Sequence, residues 1–278
     1  LGNSPSPILR DRESVSGVDY ILIESVYGDR NHEGRELRDE RFLQIVRDSI
    51  ARGGTLLIPA FSLERTQQIL SQLDDLFESQ KLKSVPVYLD SPLAQRIMRV
   101  YENATRLFNT EKQKEISRGD EIFKFRELKE IRSRAESQEI QKIPGAKIII
   151  AGSGMSTAGR ILGHEAHYLP DPNSTLLLMG YQAVGTLGRQ IGEGVKEVVI
   201  DDMPVSIKAR VEKISGFSGH ADSDALVDFV SGSEKSLKKV FVAMGEPRSQ
   251  IFLAQRLRDE LGVDAVATEV GKTYEIEL

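Results

Sequence analysis

The strongest constraint on the fold is a regular alternation of short apolar runs with amphipathic helical segments. Phe42, Val46 and Ile50 share one face of the predicted helix at 35–52, which Gly53 ends. Runs that are apolar throughout indicate strands buried on both faces, and strand–helix–strand order requires a largely parallel sheet covered by helices. The chain is therefore predicted to be α/β. The main apolar runs are "YILI" at 20–23, "TLLIPA" at 55–60, "VPVYLD" at 85–90, "AKIIIA" at 146–151, "TLLLM" at 175–179 and "VKEVVI" at 195–200.

Two segments depart from this alternation. Residues 111–142 are mostly charged, which predicts a solvated, helix-rich outer segment. The run "VSIKARVEKI" at 205–214 alternates apolar with polar residues, which predicts a half-exposed strand and a change of layer near residue 205. Beyond it we expect a helix capped near Asp222, the strand "KKVFVAMG", a helix over 247–261 and closing strands in "DAVATEV" and "TYEIEL".

Composition excludes several classes of protein. The 278 residues contain no basic-then-apolar leader and no run of about 18 apolar residues, so we expect a soluble chain without a membrane span. The absence of cysteine rules out disulfides, thiolate zinc sites and a cysteine nucleophile, and it fits a cytoplasmic location. The net charge of −5 means that phosphate binding would have to come from a local cluster of basic groups and backbone amides.

Two glycine-rich loops follow apolar strands, "AGSGMSTAGR" at 151–160 and "GYQAVGTLGR" at 180–189. Glycines let the backbone approach an anion, and the amides at a helix start can donate to it. A dinucleotide-binding fold uses the same device but needs an acidic residue after the next strand, where this chain has Met179-Gly180. Tight turns and ordinary polar loops are the structural alternatives. The polar candidates for anion contacts are Ser153, Arg160, Gln182, Thr186 and Arg189.

His220, one of four histidines, lies between small residues and two carboxylates in "GFSGHADSD" at 216–224. It could be a metal ligand, a proton carrier or a loop residue beside the helix cap Asp222. Glu24 ends the first apolar run, and we expect it near His220. A carboxylate bonded to an imidazole fixes its tautomer and favours the imidazolium, which could protonate a leaving oxygen.

The other histidines are less informative. His164 and His167 lie three residues apart on a predicted helix, a spacing that can hold a metal, but no third ligand lies nearby in the sequence. They are predicted to be ordinary surface or groove histidines. For His32, in "YGDRNHEG", a substrate-facing loop and a solvated turn remain equally open.

Six segments, taken in order, resemble the β-CASP branch of the metallo-β-lactamase-fold hydrolases, a family of RNA-processing nucleases. The resemblance covers nearly the whole chain. It implies a β-CASP domain, with a parallel sheet flanked by helices, at 29–217. It also implies that 1–28 and 218–278 are a remnant and the C-terminal segment of a metallo-β-lactamase-like αββα domain. The segments are "IESVYGDRNHE", "IPAFSLERTQQIL", "YLDSPLA", "AGSGMSTAGRIL", "GYQAVGTLGR" and "GFSGHADSDAL".

The resemblance also assigns roles. Glu24 becomes the acidic residue of the family's motif A, and His220 the motif B histidine that protonates the leaving oxygen. Family enzymes use two zinc ions to generate a hydroxide nucleophile and to polarise the phosphate. The substrate implied is RNA, single-stranded in the cleft. Its predicted contacts are Arg65, Ser153, Arg160, Gln182, Thr186 and Arg189.

Two departures from the family pattern raise alternatives. The zinc-binding HxHxDH segment would lie upstream of Leu1, so we expect this chain to lack the N-terminal zinc-binding half, to hold no metal of its own and to be inactive alone. Motif C usually reads "VHGE", whereas this chain has "VAMGEP", and a thioether at Met244 is a poor zinc ligand. A non-catalytic paralogue that binds RNA or a processing partner is one alternative, and a nucleotide-binding α/β domain is another. A homodimer is left open.

Overall fold

A computed structural model describes residues 1–277, the side chain of Arg35 apart, and the chain divides into two compact units. The terminal unit comprises residues 1–6, 10–32 and 219–278, and the central unit comprises residues 7–9 and 33–218. The strands are β1 Tyr20–Glu24, β2 Thr55–Pro59, β3 Val87–Asp90, β4 Leu128–Glu130, β5 Lys147–Ala151, β6 Thr175–Met179, β7 Glu197–Ile200, β8 Met203–Ser206, β9 Arg210–Ile214, β10 Lys239–Ala243 and β11 Ala265–Ala267. The helices are α1 Arg35–Ala51, α2 Arg65–Glu78, α3 Pro92–Asn103, α4 Thr110–Ser117, α5 Arg134–Ile140, α6 Arg160–Tyr168, α7 Leu187–Gly192, α8 Ser223–Ser231 and α9 Pro247–Leu261, with a short 3₁₀ helix at Thr105–Leu107.

The central unit is built on a six-stranded sheet in the order β4-β3-β5-β2-β6-β9, and every neighbouring pair is parallel. All residues of β2, β5 and β6 are buried. Since successive side chains of a strand point to opposite faces, Leu56 and Ile58 join one apolar cluster whereas Leu57 joins another. Each face of the sheet thus has its own core, and the predicted parallel α/β fold is confirmed.

The charged segment is not the solvated element that its composition suggested. After α4 the chain buries Ile122 and Phe123, and β4 then pairs with β3 at one edge of the sheet. Ile131 and Ile140 are also buried. A few apolar side chains spaced among the charges are enough to hold such a segment against the core, so the prediction for 111–142 was wrong in this respect.

The predicted change of layer near residue 205 is also wrong. β7 and β8 form an antiparallel hairpin, and β9 then returns as a sixth strand, parallel to β6. Its alternation reflects an edge position, where one side of the strand is less covered. At the other end of the chain, residues 273–277 of the predicted closing strand form no strand, and residue 278 lies outside the described residues.

The terminal unit holds a parallel sheet in the order β1-β10-β11, in which Glu24 is the register partner of Ala243. Its apolar cluster joins the inward residues of these strands, such as Ile21 and Ile23, to α8 and α9. Leu22 points the other way and is 74% exposed. The described helices therefore cover one face of this sheet. The boundaries at residues 28 and 217 between the β-CASP domain and the metallo-β-lactamase-like domain stay a prediction.

None of the helices within residues 1–277 is long and apolar enough to cross a membrane.

Candidate functional site

Glu24 and His220 meet in the terminal unit. Glu24 is the last residue of β1, and His220 lies three residues before Ser223, where α8 begins with Asp222 as its N-cap. The Asp222 carboxylate accepts a hydrogen bond from the Ala225 amide at 3.0 Å, which confirms the predicted cap. The backbone of His220 is held by a β-bridge to Gly2. His220 is thus placed by a capped helix start on one side and a bridged backbone on the other.

The two side chains form a hydrogen bond. His220 Nδ1 lies 2.9 Å from Glu24 Oε2, and the Leu1 amino group donates to Oε1 at 2.8 Å. Burial raises the pKa of Glu24, but the hydrogen bonds from His220 and the amino group, with their charges, outweigh burial and hold that pKa below its ordinary value. An ionised carboxylate can only accept, so Nδ1 carries the proton. The His220 side chain is 46% exposed.

His32 is the residue that sequence reasoning left undecided, and its side chain supports the same loop. Its Nε2 donates to the backbone oxygen of His220 at 2.9 Å, and its backbone amide donates to Asp222 Oδ2 at 3.2 Å. The edge of the Tyr27 ring contacts the imidazole, with 4.3 Å between centroids. The side chain is therefore fixed in place rather than solvated. The sequence held a faint signal, a histidine five residues beyond an aromatic that follows a strand.

Met244 follows β10 at the edge of the sheet where Glu24 ends β1. It is 77% exposed and has a φ of 55°, a conformation that is uncommon for a residue with a Cβ. Behind it, a Cβ on Gly245 would lie 2.5 Å from the Ser25 carbonyl oxygen, so glycine permits the close approach of these two strand ends.

The donor set at this edge can be tested for the zinc ions that the family implies. Glu24 Oε2 is already bonded to His220 Nδ1, and position 244 offers a thioether. Across residues 1–277 no three His, Asp or Glu side chains come close enough together to hold a metal ion. The described residues of this chain therefore do not form a zinc site by themselves.

In the central unit, the loop at 151–160 borders a cavity of about 290 Å³ at the carboxyl ends of β2, β3 and β5. Two of the predicted substrate contacts, Ser153 and Arg160, line this cavity together. Ser153 Oγ accepts from the Thr157 amide at 2.9 Å, which shapes the loop, and Arg160 begins α6. The remaining lining residues include Ser62, Asp90, Ser91, Pro92, Leu93 and Gly152.

Arg160 is anchored by a buried network around Asp90. Asp90 is completely buried, and its two oxygens accept from Arg160 Nη1 at 2.5 Å and from His164 Nε2 at 2.7 Å. Ser137 Oγ adds a third hydrogen bond. Burial raises the pKa of Asp90, yet the bonds from His164, Arg160 and Ser137 outweigh it and lower that pKa. A salt bridge thus holds the guanidinium at the rim of the cavity.

The prediction of a surface or groove position is wrong for His164, which is 1% exposed. The carboxylate of Asp90, brought from a different strand, supplies the partner that lets an imidazole be buried. His167, three residues further along α6, is exposed as predicted.

The other predicted contacts have local partners. Gln182 Nε2 donates to the Gly154 oxygen at 3.0 Å and so ties the two glycine-rich loops together. Thr186 caps α7, and Arg189 pairs with Glu193 at 2.6 Å. Arg65 begins α2 and is 6% exposed, with Gln68 as a partner of its guanidinium. These four residues do not line the cavity that Ser153 and Arg160 share. Contact of any of the six with RNA stays a prediction.

Taken together, the structure defines a two-unit α/β protein whose polar loops and carboxylate–imidazole pair lie at the carboxyl ends of parallel strands, where α/β proteins place ligands and reactive groups. The profile of the Beta-Casp domain matches residues 66–191, and that of the Zn-dependent metallo-hydrolase RNA specificity domain matches residues 204–268. The chain belongs to the β-CASP family of metallo-β-lactamase-fold RNA-processing nucleases. An unrelated nucleotide-binding α/β domain is thereby set aside.

Curated relatives extend over most of this chain. Ribonuclease TTHA0252 of Thermus thermophilus is 35% identical over 257 residues, which cover 92% of this chain and 58% of the relative. Transcription termination factor FttA of Methanosarcina mazei is 30% identical, with 90% and 40% covered. An RNase J-like protein of Methanocaldococcus jannaschii is 31% identical, with 87% and 56% covered. The chain thus spans between 40% and 58% of the length of these relatives.

Proposed function

We propose that this chain is part of a metal-dependent RNA phosphodiester hydrolase, to which it contributes the proton donor and the RNA-binding loops. The observation that carries the proposal is the 2.9 Å contact between His220 Nδ1 and the Glu24 carboxylate. The Thermus relative is named a ribonuclease, and residues 204–268 match the RNA specificity domain; both support RNA as the substrate.

The pair is suited to general acid catalysis. Cleavage of a phosphodiester expels an alkoxide. A proton delivered to that oxygen raises the rate by about 10²- to 10⁴-fold. In the imidazolium form of His220, Nδ1–H is held by Glu24, and the proton on Nε2 passes to the leaving oxygen. The neutral ring that remains keeps its Nδ1–H bond to Glu24 and regains a proton from water. When bound, the zinc ions that the family implies would supply the nucleophilic hydroxide.

The central unit is proposed to bind RNA mainly through hydrogen bonds, with a smaller contribution from positive charge. Arg160 reaches the cavity rim, but its positive charge is balanced by Asp90, and Arg189 is balanced by Glu193. With a chain charge of −5, we expect a modest salt dependence of RNA binding by this chain. A single strand suits a surface of hydroxyl and amide donors better than a duplex with its denser charge.

We further propose that the zinc ligands belong to a part of the polypeptide outside this sequence. Two facts support this. The chain spans at most 58% of the relatives named above, and the parallel sheet of the terminal unit leaves Leu22 74% exposed, although parallel sheets are normally covered on both faces. The chain alone should therefore be inactive. Zinc-dependent RNA cleavage by residues 1–278 would contradict this proposal.

The test uses the complete polypeptide loaded with zinc, with His220→Ala compared against His167→Ala, an exposed histidine of the central unit. We expect His220→Ala to lower kcat by about 100-fold or more while the Kd for RNA stays unchanged. A substrate with a sulfur leaving atom at the scissile bond needs no proton, so it should restore the rate of His220→Ala. Two results would overturn the role of His220. One is a wild-type kcat in His220→Ala, and the other is a loss of kcat that the substrate with the sulfur leaving atom does not restore.

Met244 favours a second candidate, a non-catalytic β-CASP protein that binds RNA. Met244, whose thioether is a poor zinc ligand, stands where the family carries a histidine. If this candidate holds, the complete polypeptide binds RNA but contains less than one zinc per chain and cleaves nothing. Met244→His should then raise its zinc content. Two zinc ions per chain together with cleavage that requires His220 would exclude it.

A further inference from the structure

Phe61 exposes an aromatic ring at the carboxyl end of the central sheet. It follows β2 after Ala60, and 44% of its surface is exposed even though the strand before it is fully buried. An exposed phenyl ring lacks the favourable free energy of burial, which a partner that covers the ring would supply.

The position of this ring is fixed by its surroundings. The Phe61 oxygen accepts hydrogen bonds from the Thr66 amide at 3.2 Å and from Thr66 Oγ1 at 2.8 Å. One side of the ring lies against Gly154, where an added Cβ would come 2.7 Å from Cδ2 and 2.8 Å from the Phe61 amide nitrogen. Glycine at 154 therefore gives the ring a backbone surface to lie on. The exposed part is held in place rather than swinging in solvent.

Polar groups adjoin the ring. Ser62, the next residue, lines the cavity of about 290 Å³ together with Ser91, Ser153 and Arg160. Its hydroxyl lies 3.2 Å from that of Ser91. An aromatic ring beside hydroxyls and a guanidinium matches the chemistry of a nucleotide, which offers a π-face for stacking and a sugar–phosphate for hydrogen bonds.

We propose that Phe61 is a stacking platform for one base of single-stranded RNA, with the adjoining sugar–phosphate in the cavity lined by Ser62, Ser91, Ser153 and Arg160. The inference rests on the RNA-binding part of the proposed function and not on its catalytic part. Stacking is tolerant of base identity because every base has a π-face, so the platform would position the strand without reading its sequence.

The experiment measures binding of short single-stranded RNAs to the 278-residue chain and to its variants. Phe61→Leu keeps an apolar side chain but removes the ring, and Phe61→Tyr keeps the ring. Phe252→Leu is the matched control, since Phe252 lies on α9 of the terminal unit and is 46% exposed. We expect Phe61→Leu to weaken binding by about 5- to 150-fold, the range for losing one stacked base, and the other two variants to bind as the wild type does.

A second measurement does not depend on variants. RNAs with 2-aminopurine at successive positions should show strong quenching at one position when they bind the wild-type chain, and an abasic site at that position should weaken binding as Phe61→Leu does. Equal affinity of wild type and Phe61→Leu, or indifference to the abasic site, would overturn the platform and would point to a protein segment as the occupant. The cleavage test of His220 would be untouched by that result. A wild-type chain and complete polypeptide that bind no RNA would overturn both proposals.

Discussion

At the residue scale, a small number of side chains decide what the terminal unit can do. The Glu24 side chain is 8% exposed, and its carboxylate is hydrogen-bonded to the imidazole of His220. His220 is half exposed, and His32 holds its backbone from behind. A buried acceptor holds one ring nitrogen of a half-exposed imidazole, which is the arrangement proposed above for a proton carrier.

Glu24→Gln tests the energetic side of this pair. We expect the free energy of unfolding at pH 7 to fall by about 1 to 3 kcal/mol, since hydrogen bonds to a charged acceptor are lost. The pKa of Glu24 is lowered by folding, so its contribution is present above its ordinary value of 4.5 and is lost as the pH falls through the folded value. The difference between wild type and variant in urea unfolding should therefore shrink below pH 4.5. Glu13→Gln, at an exposed position, serves as control, and a difference that is constant with pH would contradict the prediction.

His32→Phe tests the support behind His220. Phenylalanine keeps a ring against Tyr27 but removes the donor to the His220 oxygen. If the proposed function holds, the complete polypeptide should lose about 10- to 100-fold in kcat through misplacement of His220, with the Kd for RNA unchanged. A purely structural role would instead lower stability and leave kcat per folded molecule as it was, and kcat normalised to the folded fraction separates the two.

The sequence predicted that Glu24 and His220 lie close together, but it did not predict the contact that His32 makes with His220. Motifs and their order point to the first two, whereas His32 acts on a backbone carbonyl 188 positions away. Every residue has a backbone carbonyl, so no pattern of residue types predicts which carbonyl a side chain will contact. His164 was misjudged for a related reason, because its partner Asp90 lies on another element and only folding brings the two together.

At the scale of elements, the apolar strands were predictable and the edges of the sheet were not. Mostly apolar runs such as those of β5 and β6 indicate strands buried on both faces, and all residues of both strands are buried. β4 has three residues with two charges and a mostly exposed side, so its sequence resembles a loop. β9 alternates like a strand of an antiparallel sheet and yet pairs parallel to β6. Edge strands are decided by what lies next to them, which is information outside the segment itself.

Helix α6 carries a carboxyl group whose ionisation opposes folding. Glu165 is completely buried, and Ser156 Oγ donates to one of its oxygens while the other has no partner among the described residues. Burial raises the pKa of Glu165 to about 7. A group with a raised pKa in the folded state costs stability as it ionises, so the free energy of unfolding should decline from about pH 4.5 to about pH 7.

Glu165→Gln removes this ionisation. We expect the variant to match the wild type near pH 4 and to exceed it at pH 8, by up to about 3 kcal/mol, because a neutral amide is not penalised by burial in the same way. Urea unfolding across this pH range measures it. Glu139→Gln, at a position 63% exposed, is the control. A variant no more stable than wild type at pH 8 would mean that Glu165 stays ionised at little cost.

At the scale of the whole molecule, the two units differ in how the chain builds them. Apart from residues 7–9, the central unit is continuous, and it contains both apolar clusters of the six-stranded sheet. The terminal unit is assembled from both ends of the chain, since β1 is the neighbour of β10. Continuity in sequence is what allows a segment to fold alone.

We therefore expect residues 33–218 alone to unfold cooperatively in urea, and residues 219–278 alone to show no cooperative transition. Without β1, β10 keeps a single strand partner and Val240 and Val242 lose part of their covering. Circular dichroism and urea titration of the two polypeptides make the comparison. Loss of Ile8, which is 1% exposed in the central cluster, should lower the stability of 33–218 but not abolish it. A cooperative transition in 219–278 would contradict the prediction.

Because β1 pairs with β10, β1 cannot form its native strand pair until β10 has been synthesised. Glu24 leaves the ribosome about 220 residues before Ala243, its register partner. At roughly 5 to 20 residues per second, the first strand waits about 10 to 40 s before its neighbour exists. Throughout that interval Ile21 and Ile23 lack the β10, α8 and α9 side chains that cover them in the folded protein, so β1 exposes apolar surface on the nascent chain.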